Sequence, residues 1–478
     1  MNIKQTIYIG AFLATGLLSC TKNIADLNTE TKAASQVPAG TLFANAVRTL
    51  SDELTTPNVN RNVFRLVLHH WATTTYQDEP NYDFSTRAIP QTWWRTMYRD
   101  ILIDLQEAKR LIGLDASLSD GVRKNQAALV DLMQVYTYSI LVNTFGDVPY
   151  SEALDYNQLF PKYDDAQTIY NDLIKRLEAD LVDLNAGSAA FPAAADFVYN
   201  GDTNKWIRWA NTLKIRLAMT LADVDPTKAK AMVEAADLKA FTSAADNALV
   251  KYFPNSPNNN PIWSDLIQSK RQDFVAGKAL VDALQARNDP RMMQFFKPND
   301  AGQYVGGIVG ANNTYTLFAR PGTKLEDPSL PGVLLSYDEL EFYRAEAIER
   351  GFAIAGTAAE HYDNAVRASI IYWGGSDAQA TAYLAQPSVA YATAPGTYKE
   401  KIGVQKWIAL YNRAYEGWTE YRRLDAPALP APAAAKSGFP NRFPYPGNEQ
   451  TLNKENYTTA AAKMGGDKVE TKLFWDKF

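Results

Sequence analysis

Apolar residues recur at three- and four-residue steps through long stretches of the chain. In "TWWRTMYRDILIDLQEAKRLIG", residues 92–113, Trp94, Tyr98, Ile101, Leu105 and Ala108 fall on one helical face, and Gly113 closes the run. "VRKNQAALVDLMQVYTYSILVNTFG", residues 122–146, repeats the pattern with Leu129, Met133, Tyr136 and Ile140 and stops at Gly146. Residues 165–184 and 204–224 carry the same periodicity. Each stretch predicts an amphipathic helix. A later pair is more specific. "YDELEFYRAEAIERG" puts Leu340, Tyr343 and Ala347 on one face; "AAEHYDNAVRASIIYWG" puts Ala358, Tyr362, Ala365 and Ser369 on another. Small residues let two helices approach closely while each tyrosine fills the next gap. This is the pattern of a tetratricopeptide-type helical hairpin, and Ala166, Tyr170 and Leu173 repeat its spacing.

The strand signal is nearly absent. "QYVGGIVGANNTYTLFARPG", residues 303–322, is the main exception and predicts a hairpin or an extended loop. Between Phe253 and Pro331 the chain is rich in Pro, Asn, Asp and Gly, which predicts loops separated by short helices. The stretch from Pro427 to Phe478 has a similar composition. The expected fold is therefore all-α. Helix should cover about half of the residues, above the one-third usual in globular chains. The few strands should be concentrated in residues 240–335. Loops held by a rigid helical scaffold are where binding residues tend to lie.

The N-terminus follows a different rule. "IYIGAFLATGLL", residues 7–18, is too short to span a bilayer but suits the apolar core of a secretory signal, with Lys4 before it. It runs into "GLLSCTKN", which holds the only cysteine of the chain. A Leu-x-small-Cys sequence is what a bacterial lipobox looks like. Residues 1–19 read as signal peptide, Cys20 as the lipidated first residue, residues 20–38 as a polar tether, and residues 39–478 as one helical domain. More than one acyl chain on Cys20 would hold the protein to a membrane without spanning it.

Composition narrows the function. With 46% hydrophobic and 21% charged residues the chain is ordinary globular protein. A net charge of −5 gives no basic footprint for nucleic acid. The three histidines, His69, His70 and His361, form no metal-binding spacing, and no HExxH, CxxC or GxSxG motif occurs. Neither an enzyme, a cofactor nor a metal site is expected. Aromatics are more telling: of 26 Tyr, 20 Phe and 10 Trp most must be core, and a surplus on the surface would suit a ligand with apolar faces such as a sugar ring. The loop candidates are Trp71, Tyr76 and Tyr82 in "HHWATTTYQDEPNYDF", Asn260 and Trp263 in "NSPNNNPIW", and Tyr304 and Tyr315 beside the glycine-rich stretch. Rings lie against sugar C–H faces while asparagine pairs with hydroxyls. Trp93, Trp94, Trp206, Trp209 and Trp407 lie in helical runs and read as core.

Several segments together resemble the SusD/RagB family of outer-membrane nutrient-binding lipoproteins. They are "NTFGDVPYSEAL", "WIRWANTLKIRLAM", "LLSYDELEFYRAEAIERGF" and "KIGVQKWIALYNRAYEGWTEYRR", followed by the tail from Phe439 to Glu449. The likeness runs from Cys20 to Phe478 and is closest to the SusD-like branch. It implies tetratricopeptide-like hairpins in a right-handed superhelical scaffold, with a loop-rich ligand-facing side. In the family the region of Trp71, Tyr76 and Tyr82 contributes an aromatic platform. The resemblance also implies a lipid-anchored protein on the outer membrane of Bacteroidota, facing the exterior. Such a protein captures oligosaccharides or peptides and passes them to a SusC-type TonB-dependent transporter. The chain departs from one habit of surface lipoproteins in these bacteria: "CTKNIADLN" lacks an acidic run after the cysteine and offers only Asp26. The alternative reading is a tetratricopeptide-like envelope scaffold without a small ligand.

One expectation is structural. Glu341 and Glu346 lie in an otherwise apolar helical pattern, and Arg422 and Arg423 close another. A carboxylate packed among small residues must be paired. Glu346 or Glu341 is therefore expected to meet Arg422 or Arg423.

Overall fold

The computed structural model describes residues 37–477. Cys20, the signal and most of the tether lie outside the described residues. Helix covers 52% of the structure. The long helices are α1 (Ala39–Thr55), α2 (Ile103–Leu114), α3 (Asp120–Phe145), α4 (Ala166–Asp183), α5 (Thr203–Thr220), α6 (Pro226–Ala236), α7 (Tyr337–Glu349), α8 (Ala358–Tyr372), α9 (Tyr398–Ala409) and α10 (Ala414–Leu424). Helix Ile89–Arg95 and a π-helical segment Thr96–Leu102 lead directly into α2. None of the described helices is long and apolar enough to cross a membrane.

Local chemistry sets the helix ends. Asp165, Asp202 and Asp225 each accept a hydrogen bond from a backbone N–H of the first turn of α4, α5 and α6. Thr357 with Glu360, and Thr397 with Glu400, close capping boxes on α8 and α9. Gly146 ends α3 in a left-handed conformation at φ 87°. Helices adjacent in sequence pack against each other: α3 on α4, α5 on α6, α7 on α8 and α9 on α10. These are the tetratricopeptide-like hairpins. The small-residue face of α8 is indeed its packing face, with Ala358, Tyr362, Ala365 and Ser369 all buried. Helix α3 departs from the amphipathic expectation. From Ala128 to Phe145 it is buried on every side, because α2, α4, α5 and the C-terminal segment enclose it. Several of its polar residues keep partners there: Asp131 holds Arg176 at 2.7 Å, and the Thr137 and Thr144 hydroxyls donate to carbonyls one turn back.

Strands form four two-stranded ladders among the described residues, with no central sheet. Trp71–Thr73 pairs with Phe274–Ala276, Ala248–Val250 with Gly332–Leu335, and Phe296–Lys297 with Arg320–Pro321. Val148–Pro149 pairs with Tyr163–Asp164. That ladder and Trp71–Thr73 lie outside the range 240–335, where strands were expected. Both are short edges fixed by neighbouring loops, and neither carries a β-branched run. Residues 303–319 form an extended loop, not a hairpin.

Buried charge ties the hairpins together. On α7, Glu339 receives Arg216 of α5 at 2.7 and 2.8 Å, and also Arg413. Burial pushes the Glu339 carboxyl up, but the two guanidinium groups overcome it and bring its pKa to about 2. Further along α7, Glu346 receives both ends of the Arg423 guanidinium at 2.5 Å. Arg423 also holds Glu420 at 2.6 Å, and Glu420 takes Lys406 of α9 at 2.7 Å. Lys406 in turn lies 3.3 Å from the centre of the Tyr343 ring. The other two residues named from sequence do not join this network. Glu341 pairs with Arg344 at 2.6 Å and His361 at 2.8 Å. Five residues from Glu346, it points about 140° away around the helix, towards α8. Arg422 meets no carboxylate among the described residues; it donates to the carbonyls of Asn143 and Asn441 at 2.9 and 2.7 Å and stacks on Trp418 at 3.4 Å. Burial pushes its pKa down to about 9.

Glu346→Ala is expected to lower unfolding stability by about 3 kcal/mol, because it strips Arg423 of its bidentate partner in a buried site. In urea denaturation, Glu346→Ala combined with Arg423→Met should lose markedly less than the sum of the two single changes. Strict additivity would contradict the pairing.

Candidate functional site

The loops that carry the candidate rings converge on one ladder. Trp71 pairs with Ala276, Ala72 with Val275 and Thr73 with Phe274. The glycine-rich segment runs beside it. Gly307 donates to the Ala276 carbonyl at 2.8 Å, and Lys278 donates back to Gly307 at 2.8 Å. The approach is too close for a side chain: a Cβ on Gly306 would sit 2.4 Å from the Lys278 Cα, and one on Gly277 would sit 2.0 Å from the His69 carbonyl oxygen. A small apolar cluster of Ala72, Val275 and Val309 is sealed by Tyr315 and Phe318.

Two buried asparagines hold the irregular backbone in place. Asn313 donates to the carbonyls of Thr73, Ile308 and Ala311 at 2.9, 3.0 and 2.9 Å, and accepts from the Ile308 N–H at 2.9 Å. Asn81 donates to the carbonyls of Gln77 and Gly310 at 2.8 and 2.9 Å, and accepts from Ala434 N–H at 2.9 Å. Each amide therefore takes the place of a missing ladder for buried main-chain groups. Asn313 ties loop 303–318 to Thr73 and Asn81 ties it to loop 74–82, while Thr74 joins the segment ending at Asp273 through its N–H to the Asp273 carbonyl at 2.9 Å and its hydroxyl to the Gln272 carbonyl at 2.7 Å.

The candidate rings divide on this surface. Tyr76, Trp263, Tyr304 and Tyr315 are half-buried and present part of each ring outward. Tyr76 lies between two guanidinium groups, Arg87 at 4.7 Å and Arg271 at 5.5 Å from its ring centre, and its hydroxyl accepts from Arg271. Arg320 lies 5.5 Å from the centre of the Tyr315 ring. Trp71, Tyr82 and Asn260 lie inside. Trp71 is 1% exposed; its indole N–H donates to the Tyr411 hydroxyl at 2.7 Å and its ring packs on Phe274. Tyr82 is buried edge-on against Phe439. Asn260 caps the short helix Pro261–Trp263 and donates to the Leu330 carbonyl at 2.6 Å. These three support the surface from beneath.

Sequence reasoning missed a second class of residue here. Val305, Ile308 and Leu317 are 39%, 54% and 60% exposed. They lie along the same glycine-rich loop as Tyr304 and Tyr315, so the rings sit in an apolar surround. The spacing of Val305 and Ile308 in "YVGGIVG" reads as core; only the glycines signal that the main chain itself turns inward. Arg87 and Arg271 were also missed; Arg87 lies 11 residues and Arg271 195 residues along the chain from the Tyr76 ring they flank, and no local pattern reports that contact. The chemistry of the surface is that of adhesion: ring faces, apolar patches, and guanidinium and hydroxyl groups at the edges. Beneath it, burial pushes the His69 pKa down to about 4 and that of His70 to about 3, so both are neutral at physiological pH. No group of His, Cys, Asp and Glu among the described residues is arranged to hold a metal ion.

Comparison with known proteins agrees with this architecture. A family profile named SusD-like, "Starch-binding associating with outer membrane", matches residues 31–446. Among solved structures, a chitin-binding protein is 27% identical with a TM-score of 0.77, over 92% of this chain and 100% of that one. A SusD homolog from Bacteroides uniformis is 26% identical with a TM-score of 0.78, over 91% and 99% of the two chains. A chitin-binding SusD homolog from Flavobacterium johnsoniae is 23% identical, with a TM-score of 0.78 over 91% and 98%, and shows likeness of fold. No curated protein sequence matches the chain.

Asn313→Ala should loosen the glycine-rich loop. Chymotrypsin is expected to cut the variant at Tyr315 or Leu317 several-fold faster than wild type, with a stability loss of about 1–3 kcal/mol. Asn312→Ala, at an exposed neighbour, serves as the control and should match wild type. Equal cleavage of both variants would contradict the role given to Asn313.

Proposed function

The chain belongs to the SusD-like family, and from that premise we propose that it is an outer-membrane nutrient-capture lipoprotein that binds oligosaccharide on the surface formed by loops 74–82, 264–273 and 303–318. It acts by binding, without turnover. The observation that carries the reading is that the partly exposed Tyr76, Tyr304 and Tyr315 and the exposed Val305, Ile308 and Leu317 lie on two loops whose main chains Asn81 and Asn313 tie together. A surface that is ordered before the ligand arrives loses little entropy on binding. Sugar C–H faces lie on the rings, and hydroxyls meet Arg271, Arg87 and the tyrosine hydroxyls at their edges.

Chitin and starch fragments are the first ligands to test, because those are the polymers in the names of the matched family and of similar structures. Cys20 supplies the lipid anchor in this reading, and the bound oligosaccharide passes to a SusC-type TonB-dependent transporter, as the family resemblance implies. Trp71, Tyr82 and Asn260 act from below, as supports of the loops.

Calorimetric titration of the purified chain with chitin and starch oligosaccharides tests the reading. Tyr76→Ala and Tyr315→Ala are each expected to weaken binding by about tenfold, equivalent to about 1.4 kcal/mol. Both rings are partly buried, so melting temperatures are recorded beside the affinities to separate loss of binding from loss of fold. Unchanged affinity in both variants would remove the ligand from this surface.

A further inference from the structure

A cleft of about 310 Å³ opens elsewhere on the molecule and shares no lining residue with the loop surface. That volume lies at the lower end of the range of small-molecule sites, about 300–1,000 Å³. Trp94, Tyr98 and Ile103, on the helical run that ends in α2, form one wall. Pro149, Leu154 and Tyr156, on the connection between α3 and α4, form the other.

That connection is a built structure. The ladder Val148–Pro149 with Tyr163–Asp164 closes its base. The Asp164 carboxylate accepts from the N–H groups of Tyr150 and Ser151 at 3.2 and 2.7 Å. Its far side is moored to the C-terminal segment: Asn453 donates to the Pro161 carbonyl at 2.9 Å and Asn456 to the Phe160 carbonyl at 3.0 Å. On this anchored backbone Tyr156, Leu159 and Phe160 are 89%, 77% and 60% exposed. Large apolar groups held in water by a fixed main chain mark a contact surface.

The mouth of the cleft specifies what it contacts. Arg99, Asp155 and Glu449 stand around it. Each has spent only part of its hydrogen-bonding capacity. Glu449 accepts the Tyr163 hydroxyl at 2.8 Å through Oε2, Asp155 accepts Asn157 through Oδ1, and Arg99 holds Asp100 through Nε and Nη2. Glu449 Oε1, Asp155 Oδ2 and Arg99 Nη1 have no hydrogen-bond partner among the described residues. An acyl chain or an aliphatic side chain would cover these atoms without satisfying them. A pyranose offers C–H faces to the rings and hydroxyls to the free oxygens and the guanidinium. Because Asp100 already neutralises Arg99, the two remaining carboxylates disfavour an acidic sugar.

We propose that this cleft is a second carbohydrate site, taking a neutral pyranose. It takes its ligand class from the function proposed above, and its place in the fold is independent of it. Two sites on one chain would hold a long oligosaccharide at two points, or two chains at once, and raise retention without tighter single contacts.

Fluorine NMR of the full chain labelled with fluorotryptophan separates the two sites. Trp94 reports the cleft and Trp263 the loop surface, each resonance being assigned with its Trp→Phe variant. The probes are chitin and starch oligosaccharides, with an oligogalacturonide as the acidic control. The Trp94 resonance is expected to shift with a neutral oligosaccharide and to stay unmoved by the acidic one. The shift should persist in Tyr315→Ala, and its midpoint should rise about fivefold in Tyr156→Ala, whose side chain is too exposed to matter for folding. A shift at Trp263 with none at Trp94 overturns the second site and leaves the loop surface standing. A shift at Trp94 alone supports the cleft and removes the ligand from the loop surface. A Trp94 shift abolished by Tyr315→Ala is a relay from the loops and overturns the proposal. No shift at either resonance with any probe overturns both readings.

Discussion

A carboxylate that stays ionised between helices must be paired, and on α7 that requirement fixes how the hairpins meet. Helix α7 carries Glu339, Glu341 and Glu346, all at most 1% exposed. Left alone, each would be forced towards its neutral form. Glu339 and Glu346 take partners from other hairpins, Arg216 from α5, Arg423 from α10 and Arg413 between α9 and α10, while Glu341 takes His361 from α8 of its own hairpin. Glu420 and Lys406 extend the chain of charges into α9. Apolar packing alone lets helices slide by a turn at modest cost. A bidentate guanidinium–carboxylate pair does not, because a shift of register would break two short hydrogen bonds and expose two charges to an apolar interior. The hairpins are therefore held in one arrangement.

The same logic extends to the irregular half of the chain. Arg422 of α10 and Arg442 of the C-terminal segment both donate to carbonyls at the end of α3, those of Asn143 and Phe145 respectively. Arg422 also takes the Asn441 carbonyl, which pins the C-terminal segment to the scaffold. Where no charge is available, neutral amides do the work. Asn81 and Asn313 replace the hydrogen bonds that a sheet would have supplied to loops 74–82 and 303–318. A binding surface made of loops is thus as fixed as one made of strands, and its side chains remain free to specialise. Rings and aliphatic groups can face water there because the backbone beneath them needs no further burial to stay ordered.

The helices were legible in the sequence because their period is local and their caps are short-range. The small-residue spacing of Ala358, Tyr362, Ala365 and Ser369 gave the hairpin directly. The need for an ion pair on α7 was legible too, and so was a partner at Arg422 or Arg423; which member of each pair would meet was not, since one residue's step around a helix decides which neighbour a side chain meets. Arg422 and Arg423 stand about 100° apart and serve different purposes. The ring list was only half informative for the same reason. Trp71 is buried by Tyr411, a residue 340 positions away that periodicity cannot reach. Val305, Ile308 and Leu317 are exposed because Gly306 and Gly307 press the main chain against the ladder, which composition alone reads the other way. The anchored aromatic connection beside Trp94 left no sequence signal beyond a loop between two helices.

The central claim is that a charge-locked helical scaffold presents a preordered loop surface, so that capture of an oligosaccharide changes the surface and not the scaffold. Hydrogen–deuterium exchange of the full chain, with and without a saturating chitin or starch oligosaccharide, tests this most directly. The account predicts added protection within residues 71–82, 260–276 and 303–318. Amides of α7 and α10 should exchange at the same rate in both states. Ligand-dependent exchange in α7 and α10, with none in the loops, would contradict it.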